Sequence, residues 1–158
     1  MTVVQQIQQL LSQKWAPLER NLTSLEGARC IGVYLLAYSN EDMAGRKINL
    51  EDIFYVGMSN ARGGVKSRLG QFLDGIETGK SHSGAMRFFK TYLEERPFSR
   101  AKTGKRFFVA ITTFPCVVEK SKRTAKDLRK MGDVARLEYY VIAYIKEALG
   151  REPELNKK

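Results

Sequence analysis

The chain has 158 residues, 43% apolar and 28% charged, which excludes a wholly disordered protein and suits one globular domain with its own core. Lys and Arg number 27 against 17 acidic residues, and the net charge of +10 favours a polyanionic partner, of which nucleic acid is the commonest. Two cysteines and one histidine are too few for a disulfide framework or a four-ligand zinc site.

The first half of the chain predicts a helix, a β-hairpin and a second helix. Residues 3–14 have apolar side chains at helical spacing, and we place this helix in an N-terminal extension, residues 1–20. Residues 30–38 and 53–57 are rich in aliphatic and aromatic side chains, so they predict two strands joined by a long polar loop. Residues 65–78 return to helical spacing.

The second half predicts a helix, a strand and a long final helix. Residues 83–95 have an apolar helical face, and residues 99–106 are basic and suggest an exposed loop. Residues 106–114 are the clearest strand in the chain. The last helix is expected over about residues 124–149, because Gly150 supplies a stop signal.

This order of elements predicts the fold class. We expect an α/β (α+β) fold in which a small three-stranded, mainly antiparallel sheet is flanked by helices. The chain has no linker or internal repeat, so it reads as a single domain over residues 1–158 with a core over about residues 28–158.

The sequence also predicts the compartment. No apolar run reaches the ~18 residues of a membrane helix, and the glutamines of residues 1–11 do not suit a signal peptide. Cys30 and Cys116 stand in apolar runs, so we expect buried free thiols, a cytoplasmic location and no membrane partner.

One acidic residue interrupts the apolar stripe of the last helix. The stripe can be followed through Ala135, Ile142, Ile145 and Leu149, and position 138, which belongs on it, is Glu. A carboxylate on a core-facing position is costly unless it is paired or holds a metal ion. Glu138 is therefore either a metal ligand or an acid at the edge of the stripe, paired with an arginine.

Each strand of the predicted hairpin has Gly close to Tyr. The two motifs read Gly32-Val33-Tyr34 and Tyr55-Val56-Gly57. Glycine inside a strand often marks the close approach of another backbone or of a ligand, and a buried tyrosine hydroxyl needs a polar partner. The alternative is a pair of ordinary core tyrosines near a turn.

Together the two motifs resemble the GIY-YIG nuclease family, whose members have them on adjacent strands. That family next has an Arg on the following helix, a Glu on a later helix and an Asn shortly after it. Arg68, Glu138 and Asn156 match these positions in order. The resemblance covers about residues 30–75 and 133–157 and implies a GIY-YIG-like fold.

The resemblance also implies roles for these residues. Glu138 would hold one divalent ion, Mg²⁺ or Mn²⁺, and Arg68 would contact the scissile phosphate. Tyr34 would position or deprotonate the attacking water, and Tyr55 would orient substrate or water. Asn156 would fasten the chain end around the site through backbone hydrogen bonds.

Two positions depart from the family pattern. Many members have a Lys directly after the second motif, where this chain has Met58, and some have a His one turn after the Arg, where it has Phe72. Lys66 and His82 are the candidates for the missing base. A capping or surface position at the start of a helix is the alternative for His82.

A basic run precedes and enters the last helix. Lys122, Arg123 and Lys126 belong to it, and with Lys66 and His82 they are the predicted nucleic-acid contacts, although a solvated helix face has the same pattern.

Three functional hypotheses follow. The first is a metal-dependent endonuclease acting on DNA, which would need a homodimer or sequential nicks to cut both strands. The second is a catalytically weak or inactive nucleic-acid-binding module on the same fold, motivated by Met58. The third is an interaction domain whose basic surface binds other acidic partners.

Overall fold

The computed structural model describes residues 1–19, 25–78 and 105–156. Its strands are β1 (Ala16–Pro17), β2 (Ile31–Ser39), β3 (Tyr55–Ser59) and β4 (Arg106–Phe114). Its helices are α1 (Val3–Leu11), α2 (Gly64–Thr78) and α3 (Ala125–Leu149), and a short 3-10 turn spans Leu50–Asp52. The helix predicted over residues 83–95, the loop over residues 99–104 and His82 lie outside the described residues.

The four strands form one antiparallel sheet in the order β1-β4-β2-β3. The fold is therefore α+β, as predicted, but the prediction of three strands was wrong. The missed strand, β1, pairs only Ala16 with Val109 and Pro17 with Phe108. A strand of two residues is too short to show a periodic pattern in the sequence. Proline is tolerated in β1 because an edge strand pairs on one side only, so the missing N–H of proline can lie on the unpaired side.

The two faces of the sheet pack against different helices. On one face, Val33, Leu35 and Val56 join the apolar stripes of α1 and α3 in the larger core. On the other face, Tyr34 and Tyr55 pack with residues of α2 in a second core. This division follows from the alternation of side chains along a strand, which sends successive residues of β2 to opposite faces.

The N-terminal segment is part of the packed domain. α1 is shorter than predicted, because a capping box at Thr2 starts it and Ser12 ends it. Ile7 and Leu10 of α1 enter the larger core, and so does Trp15, which is 2% exposed. After α1 the chain becomes extended and forms β1.

α3 is fixed at both ends by its sequence. Thr124 caps its N-terminus in a capping box with Asp127, and Gly150 ends it in the left-handed conformation at φ 74°. Its buried stripe differs from the predicted one, because Ala135 and Leu149 are only partly buried. The buried residues on α3 are Asp127, Val134, Leu137, Glu138, Val141, Ile142 and Ile145.

Two further predictions concern thiols and membranes. Cys30 and Cys116 are free but partly exposed, so the expectation of buried thiols was wrong in degree. Both lie just beyond strand ends, Cys30 before β2 and Cys116 after β4. None of the helices described here has the length and apolar character needed to cross a membrane.

Candidate active site

Tyr34 and Tyr55 lie side by side on one face of the β2–β3 pair. Tyr34 is opposite Gly57 and Leu36 is opposite Tyr55, so the two tyrosines are diagonal neighbours with the same orientation. Their ring centroids are 6.1 Å apart at an interplanar angle of 48°. Tyr34 is 0% exposed and Tyr55 is 4% exposed, so both phenols belong to the protein interior.

Gly57 provides the space that the Tyr34 side chain occupies. A Cβ placed on Gly57 would overlap the Cζ and hydroxyl of Tyr34 and lie 2.8 Å from its Cε2. The Tyr34 ring therefore crosses over β3, which is the edge strand, and brings its hydroxyl towards that edge. The glycine of the second motif is required by the tyrosine of the first.

Gly32 has a different reason to be glycine. A Cβ at this position would overlap the backbone carbonyl of Thr112 and lie 2.9 Å from the Cα of Thr113, both on β4. The first glycine thus allows close approach of a neighbouring backbone, which was one of the two readings of a glycine inside a strand.

Glu138 is turned into the protein. It is 3% exposed, and its charge is close enough to the Tyr34 hydroxyl to raise the pKa of that phenol. Glu138 comes from α3, whose buried apolar residues pack on the opposite face of the sheet from Tyr34. The inward orientation expected from the sequence is present.

Arg68 completes the cluster from α2. Its guanidinium donates a hydrogen bond to the Tyr34 hydroxyl and another, 3.1 Å long, to Oε1 of Gln71. Arg68 is partly exposed, whereas Tyr34 is fully buried. This arginine therefore connects the buried phenol to solvent, where a phosphate could reach it.

The pKa of Tyr34 is raised well above its ordinary value of 10.0. Burial is the largest cause, and the neighbouring Tyr55 and Glu138 raise it further, while the positive charge and hydrogen bond of Arg68 lower it. At neutral pH the Tyr34 hydroxyl is protonated, so in this state it can donate and accept hydrogen bonds but cannot act as a base.

Asn156 fastens the chain end to β3. Its Nδ2 donates to the carbonyl of Val56 at 2.8 Å, and its Oδ1 accepts from the N–H of Val56 at 2.9 Å. The N–H of Leu155 also donates to the carbonyl of Phe54 at 3.0 Å. The expected backbone hydrogen bonds are thus present, and they occupy the free edge of β3 between Tyr55 and Gly57.

The donor set near Tyr34 suits a weakly held divalent cation. Glu138 supplies one buried carboxylate, and no group of three or more His, Cys, Asp or Glu side chains lies together in the described part of the chain. Mg²⁺ commonly takes one or two carboxylates and keeps several waters, so a single glutamate fits it better than an all-protein cage would.

Comparisons with known proteins add nothing to this geometry. No family model, curated protein or solved structure matches the chain.

The predicted nucleic-acid contacts do not all lie with the cluster. Lys66 is partly exposed and stands two positions before Arg68 on α2, so the two side chains do not share a helix face. Lys126 is exposed and precedes Glu138 by about three turns, or ~18 Å at the rise of an α-helix. A phosphate at Glu138 is therefore out of reach of Lys126, which could only contact a flanking part of a bound strand.

The basic run is anchored close to the end of β3. Lys122 Nζ lies 3.6 Å from Oε2 of Glu119, and Arg62, just after β3, lies 3.9 Å from the same oxygen. Asn60 also donates to the carbonyl of Met131 on α3 at 2.9 Å. Arg123, partly exposed, follows Lys122 in this segment. The turn after β3 and the start of α3 thus form one basic surface, to which sequence reasoning had not assigned Arg62.

Two other cavities lie apart from the tyrosines. One, of about 540 Å³, is lined by acidic side chains that include Glu51 and Glu152, beside the start of β3. The other, of about 560 Å³, lies between α1 and β4 and is lined by residues such as Gln13 and Thr112. Neither contains a residue of the Tyr34 cluster.

Proposed function

We propose that this protein is a metal-dependent endonuclease that hydrolyses phosphodiester bonds of DNA at a GIY-YIG-type site formed by Tyr34, Tyr55, Arg68 and Glu138. One observation supports it above the others: an acidic side chain that is 3% exposed faces a buried phenol that also accepts a hydrogen bond from an arginine. A structural ion pair alone would not need two tyrosine hydroxyls or the glycine that makes room for one of them.

The roles follow from the chemistry of each side chain. Arg68 binds the scissile phosphate, because its planar guanidinium matches two oxygens and the charge that develops on them. Tyr34 and Tyr55 orient the attacking water and the phosphate through their hydroxyls. Glu138 holds a divalent cation, Mg²⁺ or Mn²⁺, which when bound polarises the phosphate and stabilises the leaving oxygen.

Proton transfer requires a base near the attacking water. The raised pKa of Tyr34 keeps its phenol protonated even beside Arg68, so the phenol needs further positive charge nearby before it can lose its proton and act as a base. Lys66, two positions before Arg68, and His82 remain the alternative bases. The preference for DNA over RNA follows from the resemblance alone, and cutting both strands needs either a homodimer or sequential nicks.

A second candidate is a nucleic-acid-binding module without catalysis. The protonated state of Tyr34, together with Met58 at the position where the family often has Lys, supports it. This module would bind DNA in a salt-dependent way and leave it intact with every divalent metal.

A plasmid-nicking assay separates the two candidates. Supercoiled plasmid is incubated with the protein in Mg²⁺, in Mn²⁺ and in a chelator, and the same reactions are run with Glu138→Gln and Arg68→Lys. The first substitution keeps the shape of the side chain and removes its charge, and the second keeps the charge and removes the planar fork. We expect nicking by the wild type with metal, reduced roughly 100-fold or more by each substitution.

Glu147→Gln is the matched control, since Glu147 is an exposed glutamate on the same helix. This variant should nick at the wild-type rate. Equal nicking by Glu138→Gln and wild type would contradict the assignment, and absence of nicking by the wild type with any metal, with salt-dependent binding retained, would favour the binding module.

A further inference from the structure

Exposed aromatic side chains are concentrated on one helix. Within the described ranges, the tyrosines that stand well out into solvent are Tyr139, Tyr140 and Tyr144, at 58%, 51% and 45% exposure, and all three belong to α3. A group of exposed aromatic rings on one short stretch of helix is typical of a binding surface.

Two of these tyrosines continue a row of cations along the side of α3 that faces solvent. Residues on this row recur every three or four positions, so their side chains share one face. We call it the outer face of α3; it comprises Lys126, Arg129, Asp133, Arg136, Tyr140 and Tyr144. The cations occupy its N-terminal half and the aromatic rings its C-terminal half.

The charges of the outer face favour an anionic partner. Lys126, Arg129 and Arg136 are exposed and outnumber the acids of the row, which are Asp133, 3.0 Å from Arg136, and the exposed Glu147, three positions after Tyr144. A second copy of the chain would also have a net charge of +10 over its 158 residues. Repulsion between like charges therefore makes a polyanion the better match.

The rings select one form of polyanion. Side chains four positions apart on a helix have Cβ atoms ~5–6 Å apart, so Tyr140 and Tyr144 can contact the same base or two successive bases. Bases within a duplex are already stacked on one another and present only their edges. Stacking on tyrosine requires unpaired bases, and a cationic groove with aromatic platforms is the pattern of single-strand binding.

We propose that the outer face of α3 binds an unpaired strand of nucleic acid. Bases stack on Tyr140 and Tyr144, and Lys126, Arg129 and Arg136 contact the phosphates. Glu138 points the other way, into the protein, so this surface is separated from the Tyr34 cluster by the ~10 Å width of the helix. It is a second binding site, which does not contact the scissile phosphate.

A substrate preference follows, and it rests on the proposed nuclease function. An enzyme that holds a duplex at Glu138 and an unpaired strand on the outer face of α3 prefers forked or flapped DNA to uniform duplex. The binding surface itself does not depend on cleavage and can be tested without it.

The test measures binding in a chelator, so that no cleavage occurs. Fluorescence anisotropy is recorded with a labelled oligothymidylate and with a labelled blunt duplex, for the wild type and for the double variants Tyr140→Ala/Tyr144→Ala and Tyr140→Phe/Tyr144→Phe. We expect the alanine pair to bind oligothymidylate roughly 5- to 150-fold more weakly and the duplex as before. The phenylalanine pair, which keeps both rings, should bind oligothymidylate like the wild type.

Leu128→Ala removes an exposed apolar side chain of α3 that is 48% exposed and lies off the outer face, and it should change neither affinity. Unchanged oligothymidylate binding by the alanine pair would overturn the proposal. Sedimentation as a dimer that the alanine pair dissociates would overturn it too, because the face would then be an interface between copies.

Failure of the nuclease proposal looks different. If the wild type cleaves nothing, but the alanine pair loses oligothymidylate binding and the phenylalanine pair does not, the protein has the outer-face site and lacks the catalytic one. A protein that nicks uniform duplex equally well with and without the alanine pair, and whose oligothymidylate binding is unaltered, has the catalytic site and lacks the outer-face site.

Discussion

Two sets of tyrosines in this protein have the same side chain and opposite surroundings. Tyr34 and Tyr55 are buried in the sheet, where the pairing of β2 with β3 and the space above Gly57 fix their rings. Tyr140 and Tyr144 stand in solvent on α3, at 51% and 45% exposure. A buried hydroxyl beside a carboxylate and a guanidinium is suited to orienting a reacting group, whereas an exposed ring is suited to binding.

This difference in surroundings predicts that substitutions in the two sets of tyrosines will have different effects. Changes around the buried pair should alter stability and cleavage together, because the same packing positions the hydroxyls. Changes to the exposed pair should alter binding and leave stability within ~0.5 kcal/mol, as is usual for surface positions.

Gly57→Ala should give the largest loss of stability and activity. The added Cβ overlaps the Tyr34 ring, so either the ring or β3 must move. Forcing a methyl group into a packed site of this kind costs about 1–3 kcal/mol, and we expect the upper part of that range. Urea denaturation measures the stability, and the nicking assay should show lost activity even where the variant remains folded.

Gly70→Ala is the matched control for this substitution. Gly70 lies within α2 and a Cβ there meets nothing within 4 Å, so alanine should stabilise the protein by up to ~1 kcal/mol. In a Tyr34→Leu background, Gly57→Ala should cost little, because the overlapping atoms are gone. A full cost in that background would show that Gly57 serves something other than the Tyr34 ring.

Asn156→Ala should give the second-largest loss of stability. The substitution leaves the N–H and the carbonyl of Val56 without their partner at the free edge of β3. Both hydrogen bonds are buried, so two backbone groups lose their partner inside the protein, and we expect a cost of about 1–3 kcal/mol. Because Val56 lies between Tyr55 and Gly57, nicking should fall by more than the lost stability explains, while binding to oligothymidylate stays the same.

Asn49→Ala provides the comparison for Asn156→Ala. Asn49 is exposed and makes no side-chain capping hydrogen bond at the 3-10 turn, so its loss should change stability by less than ~0.5 kcal/mol. Equal effects at positions 49 and 156 would mean that the chain end does not position β3.

The sequence predicts the elements of this fold better than the contacts between them. Residues 106–114 formed β4 with the expected bounds, and α3 begins within one residue of its predicted start, since both segments have strong periodicity and clear stop signals. β1 was missed because its two residues have no period. The pairing of Tyr34 with Gly57 is set by the register between strands, which no local pattern in the chain reveals.

The candidate site was likewise predicted in part from local patterns in the sequence. The anomaly at Glu138 was visible because a charge interrupted an apolar stripe, and its burial agrees with that expectation. The stripe itself was placed partly wrongly: Val134 and Leu137 are buried where Ala135 and Leu149 had been expected. Neighbouring positions on a helix differ by 100°, so a stripe traced through small side chains can start one residue away from the true one.

The loss of the Tyr34 proton at alkaline pH should give the smallest change in stability, and this change is specific to one residue. Its pKa is raised in the folded protein, mainly by burial, so above pH ~10 an unfolded chain loses this proton while the folded chain keeps it. The unfolded state then binds fewer protons, and stability must fall as pH rises, by at most ~1.4 kcal/mol per pH unit for one group. The stability that the raised pKa of Tyr34 contributes is fully present below pH ~10, and it is lost as the pH rises towards the pKa of Tyr34 in the folded protein.

Tyr34→Phe removes this dependence, because phenylalanine has no proton to lose. Urea denaturation of the wild type and the variant at a series of pH values from 9 upwards should show the wild type losing stability more steeply, whatever constant offset the lost Arg68 hydrogen bond produces. Parallel curves would mean that the Tyr34 phenol titrates as readily in the folded chain as in the unfolded one. The hydroxyl would then be reached by solvent, and the contrast between buried and exposed tyrosines would not hold at the residue on which the proposed chemistry depends.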